Sequence, residues 1–248
     1  MFVKRGATPD LRRSLSMPNF PEWLHSLAVA SILLAAACSL IVVADLIRHP
    51  QRMWIMNLVW PITMLFGSVL WLAFYFAFGR AQPNGSGPVS MPVAVAKGAS
   101  HCGAGCTLGD LIVEWGTVAA PSIPLLFGWH SIFAERTFAV WIPDYLVAFL
   151  IGIAFQYFTI APMRHLRLAK GIAAAVKADF LSITAWQVGM YGAMAIGQFA
   201  WLRPAYGGVA EPSSVEFWFL MQIAMIAGFV TAFPVNWWLI SAGLKEKM

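Results

Sequence analysis

Six stretches of this chain are apolar for about the 20 residues a bilayer crossing takes. They cover roughly residues 23–47, 54–78, 106–127, 139–161, 180–202 and 217–240. The third is the most polar, with Asp110, Glu114, Pro121 and Pro124 inside it, and hydropathy alone would omit it. Loop charge argues for keeping it. With the N-terminus inside, six crossings place twelve Lys and Arg residues in the cytoplasm and leave Arg48, Arg52, Arg136 and Arg203 outside, as the positive-inside rule asks. Without the third crossing, the basic run from Arg164 to Lys177 would move to the outer face. The pattern therefore predicts an all-α integral membrane bundle of six transmembrane helices with both termini cytoplasmic.

The expected organisation follows. Residues 1–21 form a cytoplasmic tail and 22–80 the first two transmembrane helices. Residues 81–100, with Pro83, Asn84, Gly85, Ser86, Gly87, Pro88 and Pro92, form a flexible cytoplasmic linker. Residues 101–248 form a four-helix membrane domain. The opening segment mixes Lys4, Arg5, Arg12 and Arg13 with polar residues, unlike a cleavable signal, so the first apolar stretch is expected to stay as a helix. Tryptophans such as Trp54, Trp129, Trp201 and Trp238 fall near predicted span ends, as interfacial anchors do.

Composition agrees: 60% hydrophobic and 11% charged residues, with a mean hydropathy of +0.71, leave too little polar surface for a soluble core. The net charge of +5 sits between apolar blocks, where it sets orientation, so nucleic acid is not an expected partner.

The candidate chemistry begins at His101. Cys102, Cys106, Asp110 and Glu114 recur at every fourth position, which stacks them along one helical stripe. Carboxylates and thiolates in hydrocarbon need a partner such as a metal ion, a proton path or another helix. Thiols on the cytoplasmic side stay reduced, and thiolates with an imidazole suit Cu(I) or Zn(II). The expected metal set is therefore His101, Cys102, Cys106, Asp110 and Glu114. Met190 with Met194, and Met221 with Met225, are i, i+4 thioether pairs that could extend it as a relay, although methionine is also ordinary filler. A structural alternative is that Asp110 and Glu114 are protonated and bonded to Gln156, Gln187 or Gln198. Asp45, His49, His130, Glu135 and Asp144 fall at outer span ends and read as wet loop residues. Asn57, Gln222 and Asn236 read as interhelical hydrogen-bonding groups.

No Gly-x-Ser-x-Gly, His-Glu-x-x-His or glycine-rich phosphate loop is present, so an intramembrane protease or nucleotide enzyme has no support.

Three motifs carry a family resemblance: His-Cys-Gly-Ala-Gly-Cys-Thr-Leu-Gly-Asp at 101–110 with Glu114 and Trp115; Phe-Gln-Tyr-Phe-Thr-Ile-Ala-Pro-Met-Arg at 155–164; and Pro-Val-Asn-Trp-Trp-Leu at 234–239, followed by Gly243 and Lys-Glu-Lys-Met at the end. In these the chain resembles the domain of unknown function 4396 family of bacterial multi-pass membrane proteins. The resemblance implies a bacterial inner-membrane protein and supplies no activity.

The residues lead to three expectations. The first is a transport or relay protein for a soft metal ion, Cu(I) before Zn(II), rather than an enzyme. Its expected partners are the lipid bilayer, the metal ion or protons, and a metallochaperone or second copy of the chain. The second is a thiol–disulfide redox protein using Cys102 and Cys106. The third is an assembly subunit without turnover.

Overall fold

The computed structural model describes residues 19–81, 89–165 and 167–247. Lys4, Arg5, Arg12 and Arg13 of the tail, and Pro83 to Pro88 of the linker, lie outside the described residues. Within them the chain is helical, without a β-strand. The helices are α1 (Glu22–Arg48), α2 (Met56–Phe74, continued by a wider π turn Tyr75–Gly79), α3 (Met91–Ala119), α4 (Ile123–Leu126), α5 (Arg136–Arg164), α6 (Leu168–Ala195, continued by Ile196–Leu202), α7 (Arg203–Tyr206) and α8 (Val215–Ser241).

Four segments are long and apolar enough to cross a membrane: Glu22–Arg48, Met56–Gly79, Arg136–Ala161 and Val215–Ser241. On α1, Leu33, Leu40 and Ile47 recur every seventh position and stand 65, 70 and 78% exposed. Such an outward apolar stripe suits acyl chains and would be costly in water. The more polar α3 and α6 pack lengthwise against α5 and α8.

Cross-bonds set the direction of each helix. His25 on α1 pairs with Glu216 on α8 at 2.7 Å, and Ser31 donates to Gln222 at 2.7 Å. The sequence offset is 191 in both, so α1 and α8 run the same way and start at the same end. At the other end Lys245, just past α8, lies against Gly98 and Asp179, in the first halves of α3 and α6. The first turn of α1 and the C-terminal tail thus sit at opposite ends of the bundle. That corrects the expectation of two termini on one face. The two ends are called here the Arg136 end and the Lys245 end.

The second expected span also folds otherwise. In one straight helix, Trp60 and Tyr75 would be about 22 Å apart, from a rise of about 1.5 Å per residue. Their ring centroids lie 5.3 Å apart instead. Ser68, at φ 45° and ψ −130°, breaks α2 into two arms that return to the Lys245 end. There Gln51 Nε2 donates to the Gly79 carbonyl at 3.0 Å, and the Tyr75 hydroxyl and Arg80 both reach Asp45. A turn inside the bundle needs its backbone satisfied. Gln222 Nε2 donates to the Leu65 carbonyl at 2.7 Å, and Ser39 to the Pro61 carbonyl at 3.0 Å. Pro61 lies inside the first arm, and the break lies at Ser68. The bundle therefore has five full-length rods, α1, α3, α5, α6 and α8, and one re-entrant hairpin, instead of six spans.

The stretch read as a linker is shorter than expected. α3 starts at Met91, with Pro92 in its first turn, where a missing N–H costs nothing. Residues 91–100 are its opening turns.

α3 is fixed against α5 by small residues. A Cβ added at Gly105 would lie 3.2 Å from the Gly152 Cα, and one at Gly109 would lie 2.7 Å from the Ala148 Cα. Two glycines four apart let the backbones touch. The stripe one position round, Cys106 and Asp110, is thereby held inside the bundle.

The fold-back predicts a labelling pattern in sealed vesicles of opposite orientation. Cysteines introduced at Arg52, Ser90 and Lys247 should react from one face and a cysteine at Asn19 from the other, the three native cysteines being buried. Arg52→Cys and Ser90→Cys reacting from opposite faces would mean that α2 crosses.

Candidate functional site

α3 buries its whole stripe: Cys102, Cys106 and Asp110 are inaccessible and Glu114 is 3% exposed. At about 1.5 Å per residue the file is about 18 Å long from Cys102 to Glu114.

At the Lys245 end, three elements converge on Cys102. α6 supplies Asp179 and Ser182, α8 supplies Asn236, and the tail beyond α8 supplies Lys245. Lys245 Nζ donates to Asp179 Oδ1 at 2.7 Å and to Cys102 Sγ at 3.0 Å. The Cys102 sulfur also lies 3.0 Å from Ser182 Oγ, to which Asn236 Nδ2 donates at 2.7 Å. The tail gets there through its cap. Gly243 takes a left-handed φ of 68°, Leu244 N donates to Leu239 O at 2.9 Å, and Gly243 N donates to Ile240 O at 3.1 Å. These are the paired bonds of a Schellman cap, which reverses the chain and turns the next side chain back onto the helix end. Burial disfavours the Lys245 charge, yet the carboxylate of Asp179 and the sulfur of Cys102 outweigh it and hold its pKa above the ordinary lysine value.

His101 points elsewhere. Its Nε2 meets Thr159 Oγ1 on α5 at 3.1 Å, and its Nδ1 has no partner among the described residues. Consecutive residues on a helix face different neighbours, so His101 and Cys102 part company. Among the described residues no group of three or more His, Cys, Asp and Glu side chains is placed to share a metal ion. The donors form a file instead of a closed shell.

In the middle of the bundle, both Asp110 oxygens and one oxygen of Asp144 on α5 are buried without a partner. The amides of Gln156 and Gln187 also bond to nothing among the described residues, and Gln198 is taken up by the Ala210 backbone. The expected amide partners of Asp110 are therefore not used. Asp144, read as a wet span end, is 1% exposed.

At the Arg136 end, Glu114 lines a polar cavity of about 470 Å3 together with His130, Glu135, Arg136 and Glu211. Arg136 is tied to Thr117 Oγ1 at 2.6 Å and to Glu211 at 3.3 Å. Arg203 clasps Glu135 through two bonds of 2.9 and 2.7 Å, which hold the Glu135 carboxyl below the usual carboxylate range.

The methionine pairs separate. Met221 and Met225 line another cavity, of about 400 Å3, together with Thr107, whose Oγ1 lies 3.9 Å from Met225 Sδ. Met190 and Met194 are buried core residues. Asp45 and His49 do not share an end with His130 and Glu135: they join Arg80 at the Lys245 end.

Sequence reasoning missed Asp179, Ser182 and Lys245. Lys245 read as one more orienting charge. The signal available was Gly243 just past an apolar helix, a cap that turns the following residues inward. Asn236 was read as an interhelical hydrogen-bonding group, and its bond to Ser182 is one.

These features define a class: an α-helical bundle with membrane-length apolar helices around a buried file of ionisable side chains. The family model described as "Domain of unknown function (DUF4396)" matches residues 93–245, and the chain belongs to that family. The match spans the whole file, from α3 to Lys245. No curated protein and no solved structure matches the chain.

Removing one member of a buried ion pair strands the other, at a cost of about 3–5 kcal/mol. Lys245→Met should lower the unfolding midpoint in detergent strongly, while Lys245→Met with Asp179→Leu should recover most of the loss. Equal midpoints for Lys245→Met and the native protein would show that the pair is not formed.

Proposed function

We propose that this chain is a multi-pass protein of the bacterial inner membrane that moves a soft metal cation along the α3 file. The supporting observation is the continuous burial of Glu114, Asp110, Cys106 and Cys102, with Lys245 and Asp179 closing one end. The Lys245 end lies in the cytoplasm on this reading. It carries Arg48, Arg52, Arg80, Lys97, Arg167, Lys170, Lys177 and Lys247, against Arg136 and Arg203 at the other end among the described residues. The Glu114 cavity is then an outward-facing vestibule.

Cargo enters at Glu114, passes Asp110 and is taken by the Cys106 and Cys102 sulfurs. A file offers one or two donors at a time, which suits Cu(I) on paired thiolates better than Zn(II), which wants a tetrahedral shell. Binding exchanges a thiol proton for the metal, so each cation bound at a cysteine releases one proton. Asp110, with neither oxygen partnered, and Asp144, with one oxygen unpartnered, are the groups that accept such protons and pass them back. Lys245 already occupies the position of a cation between Asp179 and Cys102. Incoming cargo must displace that ammonium, and its return expels the cargo. His101 is not needed as a ligand here, and Met221 and Met225 are optional outer donors.

Uptake of Cu(I) into proteoliposomes, with luminal pH recorded together, tests the proposal. The native chain should carry Cu(I) with opposite proton flux, and Cys102→Ser with Cys106→Ser should reduce uptake at least tenfold. Asp110→Asn should uncouple or slow it. Undiminished uptake in the double cysteine variant would reject the route. Silent proteoliposomes in which the two thiols instead cycle with a quinone would favour the redox reading.

A further inference from the structure

The charges around the vestibule at the Arg136 end do not cancel. Of the three carboxylates on the wall of this cavity of about 470 Å3, two are engaged: Glu135 by Arg203 and Glu211 by Arg136. Glu114 is the third. It is 3% exposed, lies on the cavity wall, and its carboxyl has no partner among the described residues. Asp110 and Asp144 lie deeper and are not on this wall. Three carboxylates against two guanidinium groups leave one negative charge, at Glu114. Building on the reading of Glu114 as the point of entry, we propose that Arg136 sets the valence of the cation accepted there. With Arg136 in place the vestibule takes monovalent cations and turns divalent ones away.

Arg136, the first residue of α5, is held in place from two sides. Its Nη2 donates to Thr117 Oγ1 at 2.6 Å, and that hydroxyl donates to the Glu114 carbonyl at 2.8 Å. A single hydroxyl thus separates the guanidinium from the Glu114 backbone. Its Nη1 donates to Glu211 Oε2 at 3.3 Å. Glu211 is fixed in turn: both ends of the Gln198 amide hold the Ala210 backbone, and the Trp218 indole holds the Pro212 carbonyl. A guanidinium does not lose its proton in a protein, so the positive charge beside Glu114 is permanent. At a given distance it repels a divalent ion twice as strongly as a monovalent one. A monovalent ion at Glu114 leaves the pocket neutral, whereas a divalent ion leaves a positive charge in a space largely shut from water, where it is costly. Without Arg136, Glu211 loses its partner and the wall carries two negative charges, which a divalent ion matches.

Electron paramagnetic resonance of Mn(II), an ion that prefers oxygen donors to thiolates, tests this by counting bound ion in nanodiscs of zwitterionic lipid. His130 is also on the wall and exposed, so the titration is run at pH 8, where an imidazole in water is neutral. The native chain should bind Mn(II) weakly and Arg136→Gln at least tenfold more tightly. Glu114→Gln added to Arg136→Gln should remove that gain. Arg136→Gln with Glu211→Gln brings the wall back to one negative charge and should return to the native weakness. A merely structural clasp, broken in both variants, would show no such return. Equal Mn(II) affinity in Arg136→Gln and the native chain, or tight binding that persists when Glu211→Gln is added, would overturn the proposal. Binding is counted without transport, so failure of Cu(I) uptake in the native chain would reject the route and not this selectivity.

Discussion

Three side chains from distant parts of the chain meet at one buried point: the Lys245 ammonium, the Asp179 carboxylate and the Cys102 sulfur. The ammonium and the carboxylate are each intolerable alone in an apolar interior, and with the sulfur they define where α3, α6 and the C-terminal tail must sit. The bonds of 2.7 and 3.0 Å span 66 and 143 residues of sequence, so the arrangement depends on the whole fold and constrains it in turn. A cation locked onto a thiol and a carboxylate also states the chemistry of the place. It is a cation site whose occupant is part of the protein.

The remainder of α3 follows from the same constraint. Gly105 and Gly109 press one face onto α5, and the neighbouring face, with nowhere else to go, carries Cys106 and Asp110 through the interior. Asp110 and Asp144 keep unmade hydrogen bonds there, a cost that packing alone would not retain. Burial of unsatisfied carboxyls in a line between a polar vestibule and a buried ammonium makes sense if something charged passes along it. The hairpin of α2 serves the same bundle differently. It reaches only partway, satisfies its carbonyls through Gln222 and Ser39, and leaves a cavity beyond its tip.

Much of this was legible in the sequence. The four-residue spacing of Cys102, Cys106, Asp110 and Glu114 fixed a shared stripe, and hydrocarbon's intolerance of charge fixed its burial. Spans one, four and six were readable from apolar length, whereas the third and fifth form helices too polar to count on that ground alone. What was not readable was the course of the second. Residues 54–78 are apolar throughout, and nothing local distinguishes a rod from a hairpin when a serine makes the turn. That missing crossing reversed the end at which α1 begins. Lys245 escaped for a related reason: loop charges were counted as though all were wet, and its side chain is drawn inside by a glycine cap. His101 shows the limit of reading neighbours in sequence as neighbours in space, since adjacent helical positions face different partners.

The central claim is that Lys245 holds the place that a soft cation takes at Cys102. The most direct test is the nitrogen-15 resonance of the Lys245 ammonium, in protein labelled at lysine Nζ, recorded before and after addition of Ag(I) as a redox-stable stand-in for Cu(I). The account predicts that the resonance shifts to that of a released, freely exchanging ammonium as silver binds, and that Cys102→Ser removes this response. Silver bound stoichiometrically with the Lys245 signal unmoved would contradict it.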